Sequence, residues 1–278
     1  MTPAVSVPRP DFRTGLKEAV WPIRGNNGKI VEVVDLYKSY GSIRAVDGVS
    51  FSIDAGEVFG ILGPNGAGKT TTVEILEGMR LPDSGVARIN GIDIREDPRK
   101  VKSLIGIQLQ SSSFFDKLSL AEILSVFGSL YHRRVDTRAL LRQVELADKA
   151  KSQFKDLSGG QKQRFSIATT LVNDPMVLFL DEPTTGLDPQ ARRHMWELVK
   201  GFKGEGRTIL LTTHYMEEAE ELCDRVAVMD RGRMVVLDTP QALIENLLAR
   251  GFHKERVEKA ANLEDVFLDL TGRALRED

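Results

Sequence analysis

The chain has 278 residues, 41% of them hydrophobic and 28% charged, a balance that suits a folded globular protein with a sizeable core. Lys and Arg number 38 against 40 Asp and Glu, for a net charge of −2, so the basic surplus of a nucleic-acid binder is missing and no nucleic-acid partner is expected. A single cysteine, Cys223, excludes an intrachain disulfide and suits a reducing compartment.

Residues 1–29 carry Pro3, Pro8, Pro10 and Pro22 among charges, without periodicity. They read as a flexible N-terminal extension, and the stretch lacks the apolar core of a secretory signal. Alternation from Ile30 through Val34 and Leu36 to Tyr40 predicts a strand, and Val49–Ile53 predicts another before a turn at Asp54–Gly56. Glu57–Leu62 reads as a short buried strand, followed by a helix from Lys69 to Glu77 that Gly78 can close.

From Ser111 to Phe154 apolar residues recur at helical spacing: Leu120, Ile123, Leu124 and Phe127, then Leu140, Leu141 and Val144. This predicts a helical insertion, with a helical subdomain over about 111–165. Strands at 176–181, 207–212 and 225–230 then alternate with helices at 190–203 and 215–223. That order predicts an α/β fold with a mostly parallel sheet. A strand at 233–238 and helices near 240–250 and 262–271 complete the reading, the last two forming a C-terminal helical tail over 241–278. The longest apolar run, Met176–Leu180, falls far short of the roughly 20 residues that span a bilayer.

Gly63-Pro64-Asn65-Gly66-Ala67-Gly68-Lys69-Thr70 sits between a predicted strand and a predicted helix, the context of a phosphate-binding loop. The glycines permit tight backbone angles, successive amides point at phosphate, and the helix N-terminus adds positive potential. Lys69 supplies a compact charge for the β- and γ-oxygens, Thr70 a hydroxyl for Mg²⁺, and Thr71 a donor for the α-phosphate. The competing reading is an ordinary glycine turn before a helix.

Leu157-Ser158-Gly159-Gly160-Gln161 precedes a helix carrying Phe165, Ile167, Ala168 and Leu171. Ser158 is a suitable N-cap, and Gly159 and Gly160 bare first-turn amides, which makes a second anion-binding helix end. Two such ends on different subdomains can share one nucleotide only across a dimer.

These two motifs carry a resemblance to the nucleotide-binding subunits of the ATP-binding cassette superfamily, over residues 30–240. The resemblance implies a P-loop ATPase cassette with a mostly parallel sheet core, an N-terminal antiparallel β subdomain and a helical subdomain. It implies ATP and Mg²⁺ as cofactors, and a second nucleotide-binding subunit whose Ser158–Gln161 closes over the ATP of its partner. Val177-Leu178-Phe179-Leu180-Asp181-Glu182 reads as an apolar strand ending in two acids, of which Asp181 resembles the acid that holds the Mg²⁺ shell. Glu182 resembles the acid that activates the attacking water. His214 resembles the switch histidine at the γ-phosphate, Asp188 the acid that communicates across the dimer, and Tyr40 the aromatic that stacks on adenine. A strand-end core tyrosine is the other reading of Tyr40. In Gly106-Ile107-Gln108-Leu109-Gln110, register favours Gln110 as the coupling glutamine at Mg²⁺ and water, leaving Gln108 as a strand residue facing solvent.

Within that superfamily the expectation is the motor of a transporter with a separate transmembrane permease subunit, held at the cytoplasmic face of the cell membrane. A translation factor would usually carry two cassettes. A DNA-repair ATPase would interrupt the cassette with a long arm or thiolate zinc sites, and neither the spacing nor one cysteine provides them. Asn262–Arg273 resembles the tail of drug-resistance export ATPases, which favours export.

Overall fold

A computed structural model describes residues 28–108 and 114–251. The first of two compact units runs to Pro240. It starts with a long hairpin, β1 (Lys29–Tyr40) and β2 (Ile43–Asp54), then β3 (Val58–Leu62), helix α1 (Lys69–Leu76), β4 (Ser84–Ile89) and β5 (Ile92–Asp93). Helix α2 (Pro98–Leu104) and β6 (Ile105–Gln108) follow, then α3 (Leu120–Leu130), α4 (Thr137–Gln143) and α5 (Gly159–Thr170). The alternation closes with β7 (Val177–Asp181), α6 (Pro189–Gly204), β8 (Thr208–Thr213), α7 (Met216–Leu222), β9 (Arg225–Asp230) and β10 (Arg233–Asp238). Helix α8 (Pro240–Ala249) begins the second unit, and among the described residues no helix is long and apolar enough to cross a membrane.

Two sheets result. One is antiparallel, in the order β2-β1-β4-β5, and the other runs β10-β9-β3-β8-β7-β6 with parallel pairing everywhere except β9–β10. Every residue of β3 and β8 is buried, as are the first four of β7. Strands covered on both faces have no solvent side to alternate with, which is why charged residues are missing from these buried positions. One face packs Phe59, Ile61 and Phe179 against Val31 and Ile53 of the antiparallel sheet and Ile75 of α1. The other packs Leu178, Leu180 and Leu211 against Phe165 of α5 and Met195 of α6. Each fully buried side chain of this size contributes about 1.5–3 kcal/mol from removal of apolar surface alone.

The parallel core and the antiparallel sheet match the expected fold class. One expectation is corrected. Gln108 does not face solvent: it is 1% exposed, and neither amide atom has a hydrogen-bond partner among the described residues. The cause is α5, whose backbone crosses that face of β6 so closely that a Cβ on Gly106 would stand 2.3 Å from the Thr170 carbonyl. Residues 1–27, Gln110 and the predicted helix at 262–271 lie outside the described residues.

Candidate active site

The phosphate-loop residues join the tip of β3 to α1. Gly68 has φ 99°, and a Cβ there would lie 2.2 Å from the Ala45 carbonyl of β2, so only glycine fits where the hairpin touches the loop. Pro64, Asn65, Gly66 and Thr70 are exposed, Thr71 is half-buried, and Gly63, Ala67 and Lys69 are buried. The Lys69 ammonium donates to the carbonyls of Gly63 (2.8 Å) and Pro64 (3.2 Å) and lies 3.8 Å from Glu182 Oε1. A buried compact cation is thus held by loop carbonyls beside the Glu182 carboxylate.

The parallel strands β7 and β8 deliver the acids. The Thr212 hydroxyl donates to Asp181 Oδ1. Burial pushes the Asp181 carboxyl above its ordinary range; the Thr212 hydrogen bond opposes this, the Glu182 charge adds to it, and Lys69 opposes it. Glu182 follows with φ 48°, a conformation that costs a non-glycine residue about 1–3 kcal/mol. Two contacts hold it there, its N–H reaching both the Thr212 carbonyl (3.2 Å) and hydroxyl (3.1 Å). The Thr185 hydroxyl donates to Glu182 Oε2 (3.1 Å), and His214 Nδ1 stands 3.3 Å from Oε1. Lysine, acid and histidine therefore converge from the carboxyl ends of three adjacent parallel strands, the usual place for a ligand in such a sheet.

A family model described as ABC transporter matches residues 46–185. A curated relative from Paraburkholderia xenovorans, named Nod factor export ATP-binding protein I, is 38% identical over an alignment covering 89% of this chain and 98% of its own length. The chain belongs to the ABC transporter ATP-binding family. A relative of the same name from Rhizobium meliloti is 36% identical, with 89% of each chain covered. Among solved structures, cbiO1 of Clostridium perfringens, described as part of the ABC transporter complex cbiONQ, aligns with TM-score 0.72 at 31% identity over 81% of this chain and 94% of its own. The dimeric post-hydrolysis state of the cassette MJ0796, bound to ADP and Pi, aligns with TM-score 0.68 at 26% identity over 76% of this chain and 99% of its own. The protein is accordingly an ATPase of the cassette type.

In this ATPase the other predicted residues fall on separate elements. Ser158 caps α5 through a reciprocal pair: its hydroxyl accepts from Gln161 N–H (3.4 Å), and the Gln161 side chain accepts from Ser158 N–H (3.0 Å). Ser158, Gly159 and Gly160 line a cavity of about 480 Å³ together with Gly186 and Asp188. Asp188 caps α6, accepting from Ala191 N–H at 2.8 Å. Tyr40 is exposed at the end of β1, with Arg80 and Lys38 at 5.5 and 5.7 Å from its ring centre, so it is no core tyrosine.

Sequence reasoning missed Thr212, whose hydroxyl serves both acids; a threonine pair at a strand tip beside an acidic strand tip was the available signal. It also missed Arg164 and His194 in the cavity wall, where both meet Glu145, at 3.3 and 2.6 Å. Cys223 is buried, and burial pushes its thiol far up, which makes it an inert packing residue.

Proposed function

We propose that this ATPase is the motor subunit of an export transporter, working as a peripheral protein at the cytoplasmic face of a cell membrane with a separate membrane-spanning permease. The export names of the curated relatives support the direction of transport, and the dimeric state of the MJ0796 cassette supports a working unit of two copies. Each copy contributes half of every pocket. Gly63–Thr71 holds the triphosphate of its own copy, Tyr40 stacks on the adenine, and Ser158–Gln161 and Asp188 reach the nucleotide held by the partner copy.

Thr70, Asp181 and, by the family resemblance, Gln110 would hold Mg²⁺, since hydroxyl, carboxylate and amide oxygens are the hard donors that ion takes. When bound, that ion screens the phosphate charge. Glu182 takes a proton from a water as its oxygen attacks the γ-phosphorus, the bond to the β-phosphate oxygen breaks, and ADP and phosphate leave. Lys69 leaves its loop carbonyls for the phosphate oxygens, and His214 donates to the γ-phosphate. ATP binding favours the closed dimer through differential affinity, and hydrolysis removes that bias.

The convergence of Lys69 and His214 on Glu182 carries this reading. Glu182→Gln should bind ATP with near-native affinity while losing turnover by two or more orders of magnitude, and should accumulate as a dimer by light scattering. Turnover near the parent rate in that variant would remove Glu182 from its assigned role.

A further inference from the structure

Glu218, on α7, is 0% exposed and takes no part in the chemistry described above. Its Oε1 accepts from the Thr184 hydroxyl at 2.8 Å and from Trp196 Nε1 of α6 at 3.3 Å, while Oε2 has no hydrogen-bond partner among the described residues. Thr184 is likewise 0% exposed and sits in the loop between Glu182 and Asp188, where its carbonyl also accepts from Leu187 N–H (3.2 Å). His214 lies one helical turn before Glu218 in the chain, at the entry to α7. One buried carboxylate thus ties together the segment bearing the histidine, the loop bearing the water-activating acid, and α6, whose N-terminus is Asp188.

Stability does not explain this choice. A buried carboxylate with one oxygen unbonded costs desolvation that two donors do not fully offset, whereas an apolar side chain would avoid that cost but leave the Thr184 hydroxyl and the Trp196 N–H without their acceptor. What the carboxylate provides is direction: it fixes the Thr184 hydroxyl and the Trp196 ring at once, which an apolar contact leaves free to slide.

We propose that Glu218 is a positioning residue for ATP hydrolysis, setting the Glu182–Asp188 loop against His214 through Thr184 and Trp196. The proposal rests on the assignment of Glu182 and His214 to hydrolysis. Glu218→Leu keeps the bulk and removes the acceptor. It should lower kcat about tenfold to a hundredfold, as expected for a misplaced catalytic group, with KM for ATP and ATP affinity by titration within about twofold of the parent, while the orphaned Thr184 and Trp196 donors lower Tm by several degrees. Glu218→Gln retains an oxygen for both donors and puts its NH₂ where Oε2 makes no bond, so it should recover most of kcat. Thr184→Val, which removes only the hydroxyl, should reproduce the loss, and adding it to Glu218→Leu should cost little more.

Unchanged kcat in Glu218→Leu would overturn the proposal. So would a parallel fall of kcat, ATP affinity and Tm without recovery by glutamine, because that pattern marks a merely structural residue. These measurements keep Glu182 intact. If Glu182→Gln itself retains turnover, the assignment beneath the proposal fails, and that failure is separate from either outcome for Glu218.

Discussion

At the scale of single residues, the site is readable in the chain where phosphate chemistry dictates residue type. Glycines, a lysine and a hydroxyl must follow a strand in fixed order, and two acids must end another. Nothing local marks Glu218, because a glutamate in a short acidic helix ordinarily faces water and its partners Thr184 and Trp196 lie 34 and 22 positions away. Gln108 misleads for a similar reason: polarity suggests solvent, but the crossing of α5 covers that face. Glu77 is also a buried acid, at the C-terminal cap of α1, and burial, with the nearby Asp181 and Glu74 charges adding, pushes its carboxyl up to about 8. Its folded pKa exceeds the ordinary 4.5, so the folded state holds the proton longer than the unfolded one, and stability falls as pH rises from about 4.5 through about 8. Denaturant melts across that window should show a downward slope on the order of 1 kcal/mol per pH unit at most. Glu77→Gln should flatten it, and an equal slope in the variant would show that Glu77 is not its source.

At the scale of elements, the second half of the fold was readable because the apolar stretches Val177–Leu180 and Ile209–Leu211 are separated by amphipathic α6. The stretch from 79 to 104 was not. It holds β4, β5 and α2, a half-buried strand, a two-residue strand and a two-turn helix, and each is too short to establish a period. The start of β2 at Ile43 was missed because its first residues are exposed or half-buried and show no alternation; they are held by pairing with β1. The N-terminus of α5 is capped by Ser158, and the proposed function gives the same hydroxyl a second task at a partner's phosphate. Ser158→Ala removes an N-cap worth about 1 kcal/mol, so Tm should fall by only a few degrees. Steady-state ATPase activity should fall by tenfold or more if the hydroxyl also serves a partner's phosphate. A loss of activity no larger than the loss of stability explains would reduce Ser158 to a cap.

At the scale of the whole molecule, the proposed function needs two copies for each nucleotide. The loop Gly63–Thr71 springs from β3 of the sheet, whereas Ser158–Gln161 opens α5, which packs through Phe165 on Leu178 and Leu180 of β7. Under that proposal a nucleotide held by the loop of one copy is completed by Ser158–Gln161 of a second, and the cavity beside Ser158 and Asp188 is the face we assign to that contact. The most direct test is specific ATPase activity as a function of protein concentration, at saturating ATP and Mg²⁺. The account predicts that activity per molecule rises with concentration and levels off as dimers fill, and that mixing in excess Lys69→Ala protein alters the curve by forming mixed pairs. Activity per molecule that stays constant down to concentrations where only single copies exist would contradict it.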